Sequence, residues 1–203
     1  MFHDIQQNSD DWLNLRNGKV TGSAISKIMA NFGKAFGEPA KKLAVDIALA
    51  QITGKLQENN YSNEHMERGH LLEPIARHLY EDFYFCNVLN GGFFDNGFTG
   101  CSPDGLIDSN GVIEIKSVIP SVQYKTIKRN MPDPAYKWQL IFNLKETDRE
   151  WIDYISFCSN FPENNKLFIH RIERINLDYE FKCIDSRLDE FKFLVNEIKQ
   201  DIK

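Results

Sequence analysis

The spacing of apolar residues along this chain changes from helical to alternating and back, and that switch limits its architecture more than any other feature. Residues up to Phe83 carry apolar side chains at helical spacing, whereas from Val88 to Val118 short runs such as "GGFFDN", "FTGCS", "GLID" and "GVIEIKSV" follow a period of two. A period-two pattern sends successive side chains to opposite faces and suits a strand rather than a helix. Gly, Asp and Asn turns separate the runs, which predicts a β-meander.

Within "GVIEIKSV", side chains two apart share a face, so Glu114 and Lys116 point the same way while Ile113 and Ile115 serve the core. Asp104 lies upstream on a Pro-Asp-Gly turn. The strand pattern places these three charges at one end of a sheet.

Helical segments flank the strands. Residues 1–60 read as helical, with Leu43, Ile47, Ala50 and Gln51 at helical spacing and Gly54 as a stop, and Asn59, Asn60 and Ser62 mark a turn. In "EHMERGHLLEPIARHLYEDF", Leu72, Ile75, Ala76, Leu79 and Phe83 form an apolar stripe, and Pro74 is expected to kink the helix or start a new one. A helical stretch from Ser121 to Leu144 is interrupted by "MPDPAY"; "WIDYISFCS" and "KLFIHRIERI" then alternate as two strands. The tail from Asp178 to Lys203 carries Phe181, Ile184, Leu188, Phe191, Leu194 and Ile198 on one face. Helices before, within and after a central mixed β-sheet predict an α/β sandwich. The expected organisation is one domain over residues 1–203: a helical part to residue 60, a core over 61–175 and a final helix over 178–203.

With 203 residues and a hydrophobic fraction of 42%, the chain can bury a core without staples. Cys86, Cys101, Cys158 and Cys183 show no CxxC pairing and suit reduced core cysteines. No apolar segment approaches the roughly 20 residues of a membrane span. With no leader pattern at its start, the chain is expected to be soluble and cytoplasmic. A net charge of −5 argues against a protein that coats nucleic acid non-specifically, although a carboxylate-rich metal site itself adds negative charge.

Two carboxylates converging beside a lysine make a hard-oxygen site for magnesium or manganese, with the lysine able to orient or deprotonate a water attacking phosphorus. The backbone carbonyl of Ile115, between the two functional side chains, is a further candidate ligand. A surface turn with a solvated Glu and Lys pair would read the same way in a single short motif. The histidines show no ligand spacing, and no GxxxxGK[ST] loop predicts ATP-driven movement. Lys125, Lys128 and Arg129 either grip a DNA backbone or form a solvated helix face.

These residues resemble the PD-(D/E)xK nuclease motif, in the version of lambda exonuclease and the YqaJ-type viral recombinase nucleases. Four segments stand in that family's order: "WLNLRNGKVTGSAIS", "RGHLLEPIARHLYE", "CSPDG" with "EIKS", and "AYKWQLIFNL". They span about residues 12–144.

The resemblance implies a restriction-endonuclease-like core in which Glu73, Asp104 and Glu114 hold a metal and Lys116 is the catalytic lysine. It implies a 5′-phosphate pocket from Arg16, Ser23 and Ser102, chemically apt because a guanidinium matches phosphate bidentately. Glu73 could instead be solvated, Arg16 could pair with Asp10 or Asp11, and Thr21 or Ser23 could cap the following helix. The family commonly carries two glutamines two apart after the lysine strand. Here Gln139 matches the first, a candidate for orienting water or phosphate, and Ile141 replaces the second. Tyr136 and Trp138 read as core or cleft wall.

By this resemblance the chain is expected to be a Mg2+-dependent exonuclease, with Mn2+ able to substitute. It would digest linear double-stranded DNA 5′ to 3′ and leave 3′ single strands for annealing. A ring-shaped trimer and a single-strand annealing partner are implied in the same way. A restriction-like or structure-specific endonuclease using the same site, and an inactive DNA-binding module, are the alternatives.

Overall fold

Turn residues keep the strands of the middle region short, and these strands divide between two sheets. The computed structural model describes residues 1–56 and 64–202; the turn expected at Asn59, Asn60 and Ser62 lies outside them. The first sheet has the order β1 (Phe2–His3), β3 (Phe93–Asn96), β4 (Thr99–Cys101), β2 (Val20–Thr21), with β2 and β4 parallel. The second runs β5 (Gly105–Ile107), β6 (Gly111–Ser117), β7 (Trp151–Phe157), β8 (Leu167–Glu173). Its central pair, β6 and β7, is parallel and therefore needs a crossover. The helices α5 (Pro120–Arg129) and α6 (Lys137–Thr147) supply it.

The meander expected over residues 88–118 is broken where the sheets meet. Ser102, Pro103 and Asp104 carry the chain from β4 in one sheet to β5 in the other. Gly91 permits this crossing, since a Cβ there would lie 1.7 Å from the carbonyl oxygen of Pro103.

The N-terminal part is not wholly helical, because β1 and β2 edge the first sheet. Around them lie α1 (Asp10–Arg16), α2 (Ile25–Met29) and α3 (Glu38–Thr53). Ser9 caps α1 by accepting from the Trp12 N–H, and Gly54 ends α3 in a left-handed conformation with φ of 67°.

Pro74 does not start a new helix: α4 (Glu64–Tyr84) runs through it. The buried line of α4 also differs from the expected stripe. Ala76 and Tyr80, with Leu72 and Leu79 beside them, pack on Ile113 and Ile115 of β6, whereas Ile75 and Phe83 are 49% and 65% exposed. The stripe is narrower because α4 meets the sheet along one row of i, i+4 positions. The last helix, α7 (Asp178–Ile202), buries Ile184, Leu188 and Phe191 in the larger core, with Phe181, Leu194 and Ile198 at its margin, as its spacing predicts.

Since β7 lies between β6 and β8, even its polar residues are buried. Asp153 accepts from the Tyr80 hydroxyl at 2.7 Å and from Arg171 at 2.8 and 2.7 Å, and Ser156 donates to Gln123 at 2.6 Å. All four cysteines are free thiols, and among the described residues no helix is long and apolar enough to cross a membrane.

Candidate active site

The site begins where β6 outlasts β5. Their pairing ends with Gly105 opposite Ile113, so the next outward-facing backbone groups of β6, those of Ile115, have no strand beside them. Asp104 fills the gap: its N–H donates to the Ile113 carbonyl at 3.1 Å, and its Oδ2 accepts from the Ile115 N–H at 2.6 Å. The N–H and C=O of one strand residue point to the same edge, so the Ile115 carbonyl also faces Asp104.

The alternation in "VIEIKS" sends Glu114 and Lys116 to the opposite face from Ile113 and Ile115, toward α6. Glu114 is 1% exposed, yet both its oxygens are satisfied. Oε1 accepts from Lys116 Nζ at 2.5 Å and Gln139 Nε2 at 2.5 Å, and Oε2 accepts from Asn143 Nδ2 at 2.8 Å. Lys116 also lies 5.3 Å from the centre of the Tyr136 ring, which makes Tyr136 a wall of the site.

Burial and the neighbouring Glu114 charge push the Asp104 carboxyl well above the ordinary carboxylate range, and Lys116 opposes that shift only in part. For Lys116, burial favours the neutral amine, but Glu114 and Asp104 outweigh it and hold the group charged above its usual value. The two carboxylates therefore favour the charged ammonium of Lys116.

Glu73 reaches the site from α4, on the other face of β6. It pairs with Arg77 at 3.2 Å, and Arg77 also donates to the Asp104 carbonyl. A cavity of about 290 Å³ opens here, lined by His70, Glu73, Arg77, Asn90 and Asp104 among others. Among the described residues no three acidic, His or Cys side chains gather into one metal cage. Each carboxylate instead faces a donor of the protein: Arg77, the Ile115 N–H, or Lys116. The donor chemistry fits a hard divalent cation, since Asp104 feels the charges of both Glu114 and Glu73, and mutual repulsion of that kind is relieved by a cation between them.

Arg16 and Ser23 line a second cavity, of about 410 Å³, with Thr21, Lys27 and Asp46. The Arg16 guanidinium stacks on Trp12 at 3.9 Å; burial lowers its pKa to about 10, opposed by nearby Cys101. Among the described residues no carboxylate pairs with it, so the alternative pairing with Asp10 or Asp11 does not form. Neither Thr21 nor Ser23 caps α2, whose N-cap is Ala24 without a side-chain bond. Ser102 does not line this cavity. It accepts a hydrogen bond from Trp12 Nε1 at 2.7 Å, so the face and edge of one indole contact two of the three expected phosphate ligands.

Ile141 is buried in the core at 3% exposure. Two residues from Gln139 on a helix, it cannot share its face; Asn143, four residues on, does. Sequence reasoning missed Asn143, although its i+4 spacing from Gln139 was a usable signal. Trp138 is half-buried against the core, and Lys125, Lys128 and Arg129 are exposed, with Arg129 donating to the Pro132 carbonyl at 3.4 Å.

The same architecture occurs in solved structures. An alkaline exonuclease from Laribacter hongkongensis is 29% identical, covers 96% of this chain and 98% of its own, and superposes with a TM-score of 0.80; its complex with dAMP gives 0.81. A phage-related exonuclease from Haemophilus somnus, 17% identical over 94% of this chain and 99% of its own, shares the fold with a TM-score of 0.68. No curated protein matches the chain in sequence. Residues 11–150 match the YqaJ-like viral recombinase domain, a span that contains both cavities' principal residues and the whole Asp104, Glu114 and Lys116 arrangement. On that match, over most of its length, the chain belongs to the YqaJ-like viral recombinase family.

Proposed function

We propose that this chain is a magnesium-dependent DNA exonuclease that digests linear duplex DNA from 5′ ends and leaves 3′ single strands for annealing. The observation that carries the reading is the open edge of β6, where Asp104 bonds the Ile115 N–H within reach of the charges of Glu114 and Lys116, which bond each other. Family membership and similarity to an alkaline exonuclease, solved also with a nucleoside monophosphate, support it.

In this reading Glu73, Asp104, Glu114 and the Ile115 carbonyl hold the cation; Mn2+ substitutes. When bound, the cation polarises a phosphoryl oxygen and lowers the pKa of a water. Lys116 presents its ammonium to the charge that develops at phosphorus, and Gln139, already a donor to Glu114, orients the water or phosphate. Arg16 and Ser23 receive the terminal 5′-phosphate in their cavity, and Ser102 joins them with its proton free to donate, because its oxygen already accepts from Trp12. A desolvated guanidinium without a carboxylate partner suits an anionic ligand.

A ring-shaped trimer around DNA, a single-strand annealing partner and action in the cytoplasm of a host cell complete the proposal. Polarity is tested with duplexes labelled at either end of one strand. Early release of the 5′ label as a mononucleotide supports the reading, and early release of the 3′ label contradicts it.

A further inference from the structure

We infer that Asn143 is a positioning residue for Glu114, and that Gly22 holds its carboxamide in place. The inference rests on the reading of Glu114 as a metal ligand and adds to it a link with the loop that carries Ser23.

Glu114 has two oxygens and three donors. Lys116 and Gln139 share Oε1, whereas Oε2 is held by Asn143 at 2.8 Å. Among the described residues, rotation of the carboxylate is therefore opposed on one side by Asn143 alone. The carboxamide gives up a contact of its own to do this: Asn143 Oδ1 is buried without a hydrogen-bond partner. An orphaned buried carbonyl is uncommon and calls for an explanation. Here the side chain is retained for its NH2 group, directed at Glu114.

The orphaned oxygen lies against Gly22. A Cβ at position 22 would stand 2.2 Å from Asn143 Oδ1, with its Cγ at 3.3 Å and Nδ2 at 3.6 Å. Gly22 follows β2 directly and precedes Ser23, so the wall of the proposed phosphate pocket also braces the amide that holds Glu114. A methyl there would push the carboxamide away from its place, and with it the bond to Glu114.

The test is a double-mutant cycle read as metal affinity. Mn2+ binding is measured by calorimetry without DNA, and the half-saturating Mg2+ concentration for cleavage is measured alongside. Loss of an outer partner of a metal ligand costs about 10- to 100-fold in affinity, and Asn143→Ala is expected to fall in that range by both readouts. Gly22→Ala is expected to weaken metal binding in the same direction, and to add no further loss in the Asn143→Ala background, where the colliding atom is gone.

Thermal unfolding in EDTA identifies variants that fail to fold; Asn143→Ser then replaces Asn143→Ala, with the same expected direction. Native Mn2+ affinity in a folded Asn143 variant overturns the inference, as do losses from Gly22→Ala and Asn143→Ala that simply add. Glu114→Gln separates the two levels. If it cuts natively, the assignment of the site falls together with the inference; if it is inactive while Asn143→Ala binds Mn2+ natively, only the role of Asn143 falls.

Discussion

The carboxylate of Asp104 occupies the hydrogen-bonding place that β5 leaves empty beside Ile115, accepting its N–H at 2.6 Å. One residue thus completes the hydrogen bonding of a sheet edge with its own carboxylate. The same position buries its charge beside Glu114, which makes Asp104 costly to the fold.

Replacing that charge should separate stability from activity. Asp104→Asn is expected to abolish cleavage and to raise the melting temperature of the metal-free protein. Because the folded-state pKa of Asp104 lies above its unfolded value, the contribution of this group to wild-type stability is fully present below the ordinary aspartate value, about 3.9, and is lost as pH rises through the folded value. The advantage of Asp104→Asn should therefore grow with pH. Melting curves in EDTA at several pH values check this; a variant less stable than wild type at neutral pH contradicts it.

Lys116→Ala removes an ammonium that Glu114 and Asp104 keep charged. Loss of one preorganised donor to developing charge costs about 100- to 1000-fold in rate, so cleavage is expected to fall by that much, while DNA binding in Ca2+ stays near native. Single-turnover rates and gel-shift titration measure the two separately.

Arg16→Ala should erase the preference for a 5′-phosphate over a 5′-hydroxyl end. A charged hydrogen-bonding partner contributes about 1.5–3 kcal/mol, so the lost discrimination should be about 10- to 150-fold. Trp12→Phe keeps an aromatic face beneath Arg16 but removes the N–H that holds Ser102, and a smaller loss of the same preference is expected. Competition between the two kinds of end reads both variants.

Asp153 tests the packing beneath the site strand rather than the chemistry, since it pairs with Ile113 of β6. Its carboxylate is fully buried and held by Tyr80 and Arg171, and the Arg171 guanidinium lies 3.5 Å from the Trp151 ring centre. The Arg171 side chain is 39% exposed, so removing Asp153 strands no buried charge. Tyr80→Phe should lose one hydrogen bond to a charged group, about 1.5–3 kcal/mol, and Asp153→Ala should lose more, because it removes the bonds from both Tyr80 and Arg171. Urea unfolding measures both.

The strand bearing Glu114 and Lys116, the interrupted helices after it and the stripe of α7 were legible in the sequence, because each follows from a local period. Asp104 was legible through its Pro-Asp-Gly turn. The split between sheets at Ser102–Asp104 was not, since it depends on the close approach of Gly91 to Pro103. The role of Trp12 was hidden for a similar reason: its indole meets Ser102, distant in sequence. On α4, helical spacing marked Ile75 and Phe83 as core, but only the row through Ala76 and Tyr80 meets the sheet. Asn143 was not legible from the family pattern, which places the second amide at position 141, a position that helical geometry turns away from Gln139.

In the proposed function the β6 edge cuts DNA from its ends. The most direct measurement incubates the protein and its Lys116→Ala variant, in Mg2+, with a linear 5′-phosphorylated duplex and the same sequence as a closed circle. Loss of the linear DNA alone, to mononucleotides and dependent on Lys116, is the predicted result. Cutting of the circle would contradict end-dependence and indicate an endonuclease; survival of both DNAs would contradict the catalytic assignment of the site.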